Sequence, residues 1–94
     1  MGADRSVRLE LYGMARYLVG KGVLDIPAES AATVGALLRE AVRLAPALVG
    51  AVLEADGTPI APNYILLDGR GAVASGDAVS DNDHPCLLVL ASGG

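Results

Sequence analysis

One segment constrains the fold of this 94-residue chain more than any other, because it predicts a single well-bounded amphipathic helix. Thr33 places a side-chain oxygen where it can cap the first free N–H groups, and Pro46 cannot continue the hydrogen-bond ladder. Between them, apolar residues recur at the spacing of one helix face, and charged residues fall on the other face. We expect a helix over residues 34–45 that buries Val34, Leu37, Leu38, Ala41, Val42 and Ala45.

Short segments with strand patterns lie on both sides of this helix. Residues 7–12 alternate between apolar and polar, which is typical of a half-buried strand. The apolar run 86–90 predicts a strand inside the sheet beside the first one, since strands buried on both faces are continuously apolar. We therefore expect an α+β domain with a mixed sheet of four or five strands packed against one main helix. The other expected strands cover 23–27, 64–67 and 72–73, and short helical turns cover 14–19 and 48–53.

Composition excludes several classes of function. The net charge of −4 and the pI of about 4.6 argue against nucleic acid as a partner, because phosphate binding depends on clustered Lys and Arg. The longest apolar runs are far shorter than the ~20 residues that cross a bilayer, and residues 1–5 lack the pattern of a secretory leader. A single cysteine cannot form an internal disulfide. We expect a cytoplasmic domain whose partners are proteins and not membranes.

Several residues have a possible catalytic or metal-binding role that their context does not favour. Cys86 opens an apolar strand, where an inert core cysteine is more common than a persulfide or thioester site. His84 lies near three aspartates, but Asp residues favour turns because their side chains bond nearby backbone. We therefore expect no catalytic residue, no metal and no bound cofactor. The only aromatic residues are expected to pack in the core or at its rim: Tyr12, Tyr17 and Tyr64. The alternative for them is contact with a partner protein.

The sequence ends on Gly93-Gly94 after a short spacer of small residues. A diglycine end has no side chain to block a narrow channel, and its carboxylate is ionised at neutral pH because its pKa is near ~3.5. Such a carboxylate can attack the α-phosphate of ATP in an activating enzyme, and the acyl-adenylate then accepts sulfur or an amine. Residues 91–94 reach at most ~13–14 Å beyond the last strand, and we expect them to form a flexible tail.

Three segments together resemble the ubiquitin-like β-grasp sulfur carriers, meaning the small subunit of molybdopterin synthase (MoaD) and the thiamine-pathway carrier ThiS. The first is Val7–Gly20, in which Arg16–Gly20 matches the Arg-x-Leu-x-Gly segment of the molybdopterin branch. The second is the helix start Thr33–Leu38. The third is Val79–Asp83, which leads into the last strand and the diglycine. The resemblance covers nearly the whole chain and implies one β-grasp domain over residues 1–94.

This resemblance implies a carrier that catalyses nothing itself. An E1-like enzyme would use ATP to adenylate Gly94, a sulfur donor would convert it to a thiocarboxylate, and a second enzyme would receive the sulfur. The resemblance favours molybdopterin (molybdenum cofactor) biosynthesis, with a molybdopterin synthase large subunit as the acceptor. Gly93 and Gly94 would thread into the partner, and apolar residues of the last strand would contact it. The candidates are Leu88 and Leu90, or alternatively Leu87 and Val89, because strand faces alternate.

Other functions stay open at this point. The sulfur could serve thiamine, cysteine, tRNA thiolation or a natural product. Activated Gly94 could also form isopeptide bonds with lysines of other proteins, which is the chemistry of a ubiquitin-like modifier. The chain could instead be a non-covalent β-grasp binding module whose glycine end is incidental.

Overall fold

The computed structural model describes residues 5–67, 71–80 and 83–89, and at Ala72 the backbone alone. Its strands are β1 Ser6–Leu11, β2 Val23–Pro27, β3 Asn63–Leu67, β4 Gly71–Ala72 and β5 Pro85–Val89. Its α-helices are α1 Met14–Val19 and α2 Val34–Leu44, and short 3₁₀ turns cover Ala28–Ser30 and Pro46–Leu48.

The five strands form one mixed sheet in the order β2-β1-β5-β3-β4. β5 pairs in parallel with β1 and antiparallel with β3, while β2 and β4 lie antiparallel at the two edges. The expected α+β architecture, with the last strand inside the sheet beside the first, is therefore confirmed. The short helix α1, the two 3₁₀ turns and the loops connect these strands around α2, the one long helix of the described chain.

Helix α2 begins as its sequence predicts. The backbone N–H of Ala36 donates to Thr33 Oγ1 at 3.1 Å, so Thr33 is the N-cap. The helix ends at Leu44, one residue earlier than expected, and Pro46 begins the 3₁₀ turn that follows. On the solvent side the guanidinium of Arg43 pairs with Glu40.

The core lies between α2 and one face of the sheet. Leu9, Ile26 and Leu87 are fully buried on the sheet side, where alternate residues of each strand point inward. The described residues include no buried polar or charged side chain, so hydrophobic packing holds this layer together. The helix and loops contribute the rest of the core, chiefly Val34, Leu37, Leu38, Ala41, Leu48, Val52 and Leu53.

The expected helical turn over 48–53 is wrong in its form, although its apolar residues are buried. The backbone of Val49 is extended, with φ −69° and ψ 130°, so the segment is a closed turn and not a helix. The backbone N–H groups of Val52 and Leu53 both donate to the carbonyl of Leu48 at 3.0 Å and close this turn. Gly50 lies in this turn with φ at +86°, a conformation that ends a helix. The expected turn at Asp68-Gly69 and the tail 91–94 lie outside the described residues.

Gly57 closes a loop tightly against α2. Its φ is +92°, and a Cβ built on it would lie 2.9 Å from the backbone nitrogen of Arg39 and 3.0 Å from the carbonyl carbon of Leu38. No real Cβ contact is that short, and helix backbone cannot move aside as a flexible side chain can. Glycine at this position therefore sets how closely the loop packs on the helix.

Replacing Gly57 by Ala should destabilise the domain more than the same change at Gly50, which also has a positive φ but has open space around it. The conformational penalty of about 1–2 kcal/mol applies to both variants. The overlap with α2 should add about 1–3 kcal/mol for Gly57→Ala alone. Urea unfolding of the two variants measures the difference, and equal losses would show that the loop is not packed against α2 as described.

Candidate functional site

The chain leaves the described fold at Val89, the last residue of β5. Gly93, Gly94 and Leu90, three of the predicted site residues, lie outside the described residues. The geometry of the site is therefore that of the strand which delivers them. β5 is the central strand of the sheet, with β1 on one side and β3 on the other.

The exit point lies at the end of the sheet where β1 also ends. The backbone N–H of Tyr12 donates to the carbonyl of Leu87 at 3.1 Å, so the chain after β1 continues alongside β5. A Cβ built on Gly13 would lie 3.4 Å from Val89 Cγ1, which places the start of α1 beside the exit point. Whatever follows Val89 thus starts from a position that two neighbouring strands and the turn into α1 hold fixed.

The structure resolves which residues of β5 face outward. Leu87 is fully buried in the core, and Leu88 is half-buried on the opposite face of the sheet. By strand alternation Val89 is on the same face as Leu87. It is nevertheless 41% exposed, because it lies at the end of the strand, beyond the core. Of the two predicted pairs of docking residues, Leu88 lies on the open face of the sheet, whereas Leu87 belongs to the core.

Leu88 belongs to an apolar depression of about 390 Å³ on this open face. β3 contributes Leu66, which lies opposite Cys86 of β5 in the strand register. We call this surface the β5 patch, and it consists of Tyr12, Leu66, Cys86 and Leu88, together with Val89, which borders it at the strand end. It reaches the exit point of the chain, so a protein bound here would also meet the residues that follow Val89.

A hydrogen-bonded polar pair borders the β5 patch. The Tyr12 hydroxyl donates to Glu10 Oε1 at 2.5 Å. This bond and the negative charge of Glu10 raise the pKa of the Tyr12 phenol above its ordinary value, while Arg16 acts in the opposite direction. The phenol therefore stays protonated at neutral pH, and it presents an aromatic face with a polar end to a partner.

The other half of the open face is charged. Arg8 of β1 lies opposite Asp25 of β2, with Nε 3.7 Å from Oδ1. Their side chains are 72% and 67% exposed, so the pair contributes little to stability. The open face of the sheet thus divides into an apolar half on β5 and β3 and a charged half on β1 and β2.

Cys86 lies elsewhere than expected. It is half-buried on the open face, not in the core, because Pro85 and Leu87 take the inward positions of β5. Its Sγ lies 3.5 Å from the carbonyl oxygen of His84. The alternation of β5 could have indicated this position, but a continuous apolar run does not show which set of residues faces the core.

The aspartates near His84 take part in turns where the structure describes them. Asp77 Oδ2 accepts the backbone N–H of Ala74 at 2.8 Å, and Asp83 Oδ2 accepts that of Ser80 at 2.8 Å. Asp81 lies outside the described residues. Within residues 5–67, 71–80 and 83–89, no three His, Cys, Asp or Glu side chains are grouped so that they could hold a metal ion.

The three tyrosines differ in their surroundings. Tyr64 is half-buried on β3, where it pairs with Leu88, and Tyr12 lies at the rim of the β5 patch. Tyr17 is 81% exposed on α1, so packing in the core or at its rim does not hold for this residue. No helix of the described segments is long and apolar enough to span a membrane.

No protein-family model matches this chain, and no curated protein sequence matches it either. Several solved structures, in contrast, are similar to this chain. SAMP1 from Haloferax volcanii superimposes with a TM-score of 0.79 at 29% identity, covering 96% of this chain and all of that one. A second structure, of H. volcanii small archaeal modifier protein 1, gives 0.73 at 27% identity over 87% of this chain and 93% of the other.

The solution structure of the HVO 2177 protein of Haloferax volcanii is also similar, with a TM-score of 0.71 and 25% identity over 95% of this chain and 86% of the other. All three neighbours match most of the chain in both directions. The chain therefore shares the ubiquitin-like β-grasp fold of small archaeal modifier proteins over most of its length.

Proposed function

We propose that this chain is a ubiquitin-like sulfur carrier, a single domain over residues 1–94 with a flexible tail at 91–94. In this proposal Gly94 carries the free carboxylate, and an E1-like enzyme activates it with ATP. The observation that carries the proposal is the position of β5. It is the central strand, its end is fixed beside β1, and its last residue, Val89, borders the exposed apolar β5 patch.

The chemistry requires only the tail of this chain. A carboxylate oxygen of Gly94 attacks the α-phosphate of ATP, pyrophosphate leaves, and an acyl-adenylate forms. A sulfur nucleophile then attacks the carbonyl carbon, and AMP leaves with the former carboxylate oxygen. In this proposal the general acids and bases of both steps belong to the partner enzymes.

Molybdopterin biosynthesis is the proposed destination of the sulfur, with a molybdopterin synthase large subunit as the acceptor. Support comes from the segment Arg16–Gly20, which resembles the molybdopterin branch of the carriers, and from the helix α1 that this segment forms between β1 and β2. The proposed location is the cytoplasm, where ATP is available to the activating enzyme.

A second function has its own support. Two of the similar structures carry the names SAMP1 and small archaeal modifier protein 1. A modifier would use the same activated Gly94 but would transfer it to a lysine amine of another protein and form an isopeptide bond. The two functions share the first step and differ in the acceptor, so one set of measurements can separate them.

Incubation with ATP, the cognate activating enzyme and a sulfur donor should raise the intact mass by about 16 Da, the exchange of one oxygen for sulfur. Deleting Gly94 or extending the chain by one residue should abolish the change, because the activated carboxylate is then misplaced. Intact mass of the protein from its own cells also tests whether Gly94 is the mature C-terminus. Recovery only as isopeptide conjugates would favour the modifier function.

Leu88→Asp should weaken binding to the activating enzyme at least about tenfold, because a charge in the centre of the β5 patch is desolvated on docking. The melting temperature should change little, since Leu88 is not part of the core. Leu44→Asp is a matched control: Leu44 is also partly exposed, at 42%, but it lies on α2, away from the open face. Binding measured by calorimetry should be unchanged for Leu44→Asp, and equal losses for both variants would contradict docking at the β5 patch.

A further inference from the structure

The chain has six arginines and a single lysine, Lys21. An activated carboxyl group acylates amines, but the guanidinium of arginine stays protonated and does not act as a nucleophile at neutral pH. Lys21 is therefore the only side chain of this protein that can form an amide with an activated Gly94. The position of this one amine decides whether such a reaction is possible.

Lys21 is exposed in the short connection between α1 and β2. The carbonyl of Gly22 accepts the backbone N–H of Leu11 at 2.9 Å, so this connection lies at the same end of the sheet as the exit point of β5. Nothing lies within 4 Å of a Cβ built on Gly20, so the residue before Lys21 also faces open space. On the other side, the guanidinium carbon of Arg16 lies 3.7 Å from a Cβ built on Gly22.

A groove of about 420 Å³ with both polar and apolar surface borders Lys21. It runs between the end of α1, the end of α2 and the 3₁₀ turn Pro46–Leu48. Among the described residues that line it, Lys21 and Asp25 are the charged ones, and the apolar lining includes Leu18, Val19, Leu24, Leu44 and Ala47. A groove of this kind fits an extended peptide that has small or apolar side chains and no charge before its end.

Residues 90–94 have this composition, Leu-Ala-Ser-Gly-Gly. Five extended residues reach at most about 16–18 Å beyond Val89, long enough to cross a groove on a neighbouring molecule. Within one molecule α1 packs against both β5 and the 3₁₀ turn, so it lies between the exit point and the groove. A second copy of the chain can therefore place its tail in the groove more directly than the same copy can.

We propose that Lys21 is an acylation site for Gly94 of a second copy of this chain, whose residues 90–94 lie in the groove beside it. The proposal rests on the proposed activation of Gly94. The neutral Nζ amine attacks the carbonyl carbon of the acyl-adenylate, the bond to the phosphate oxygen breaks, AMP leaves, and one proton is released. Because the chain has one lysine, the products are linear and carry one type of linkage through side chains.

The test installs the activated group chemically, so its result does not depend on any activating enzyme. Cleavage of an intein fusion with a small thiol gives the full chain with a thioester at Gly94. The wild type should form a dimer whose peptide fragments show a Gly94–Lys21 amide, at a rate that rises with the square of concentration. Lys21→Arg should give no such dimer.

The matched control moves the single lysine to the surface of α2 in the double variant Lys21→Arg/Arg43→Lys. Because this relocated amine lies outside the groove, we expect it to react at least about tenfold more slowly. Leu44→Glu should also slow the wild-type reaction, whereas Leu44→Met, which keeps the apolar volume, should not. Circular dichroism of each variant checks that the fold is intact.

Three results would overturn the proposal: equal rates for Lys21 and the relocated lysine, acylation of the N-terminal amine in place of Lys21, or a monomeric lactam formed within one chain. None of them bears on whether Gly94 is activated in cells. Conversely, absence of the thiocarboxylate in the mass measurement above would reject the proposed function. It would not change the rate at which the Gly94 thioester acylates Lys21.

Discussion

The parallel pairing of β1 with β5 is the interaction on which the rest of the structure depends. It places Glu10 opposite Cys86 and Leu11 opposite Leu87, and so joins the first and the last strands of the chain at the centre of the sheet. β2 is attached to β1 on one side, and β3 is attached to β5 on the other. A domain of this size has one core. The contact between β1 and β5 joins the pair β1–β2 to the group β3–β4–β5, so both parts of the sheet share that core.

Neighbouring residues of β5 have different roles, because one is part of the core and the next belongs to the exposed face. Leu87 is fully buried in the core, where its truncation to Ala would cost about 2–5 kcal/mol, as for other buried leucines. Leu88 points to the other face and contributes to the β5 patch. Because strand alternation is rigid, the central strand can hold the core with one set of side chains and present the other set to a partner.

Much of this fold could be predicted from periodicity, and the remainder depends on contacts between distant segments. Thr33 and Pro46 mark α2 locally, so its limits follow from sequence within one residue. The run 86–90 is apolar on both faces, and only its pairing with β1 and β3 decides that Leu88 and Cys86 face outward. Gly93 and Gly94 are assigned by sequence alone. The position of Lys21 at the same end of the sheet as the exit point of β5 follows from the pairing of β1 with β2 and with β5, and no local pattern indicates it.

The central position of β5 also has a mechanical consequence. The strand is hydrogen-bonded along one edge to β1 and along the other to β3, and Val89 is at its C-terminal end. A pull on that end loads the hydrogen bonds of both ladders together in shear, instead of opening them one after another as a pull across an edge strand would. A molecular machine that pulled the domain by its C-terminal end would therefore meet the greatest resistance at β5, the first strand that it has to extract.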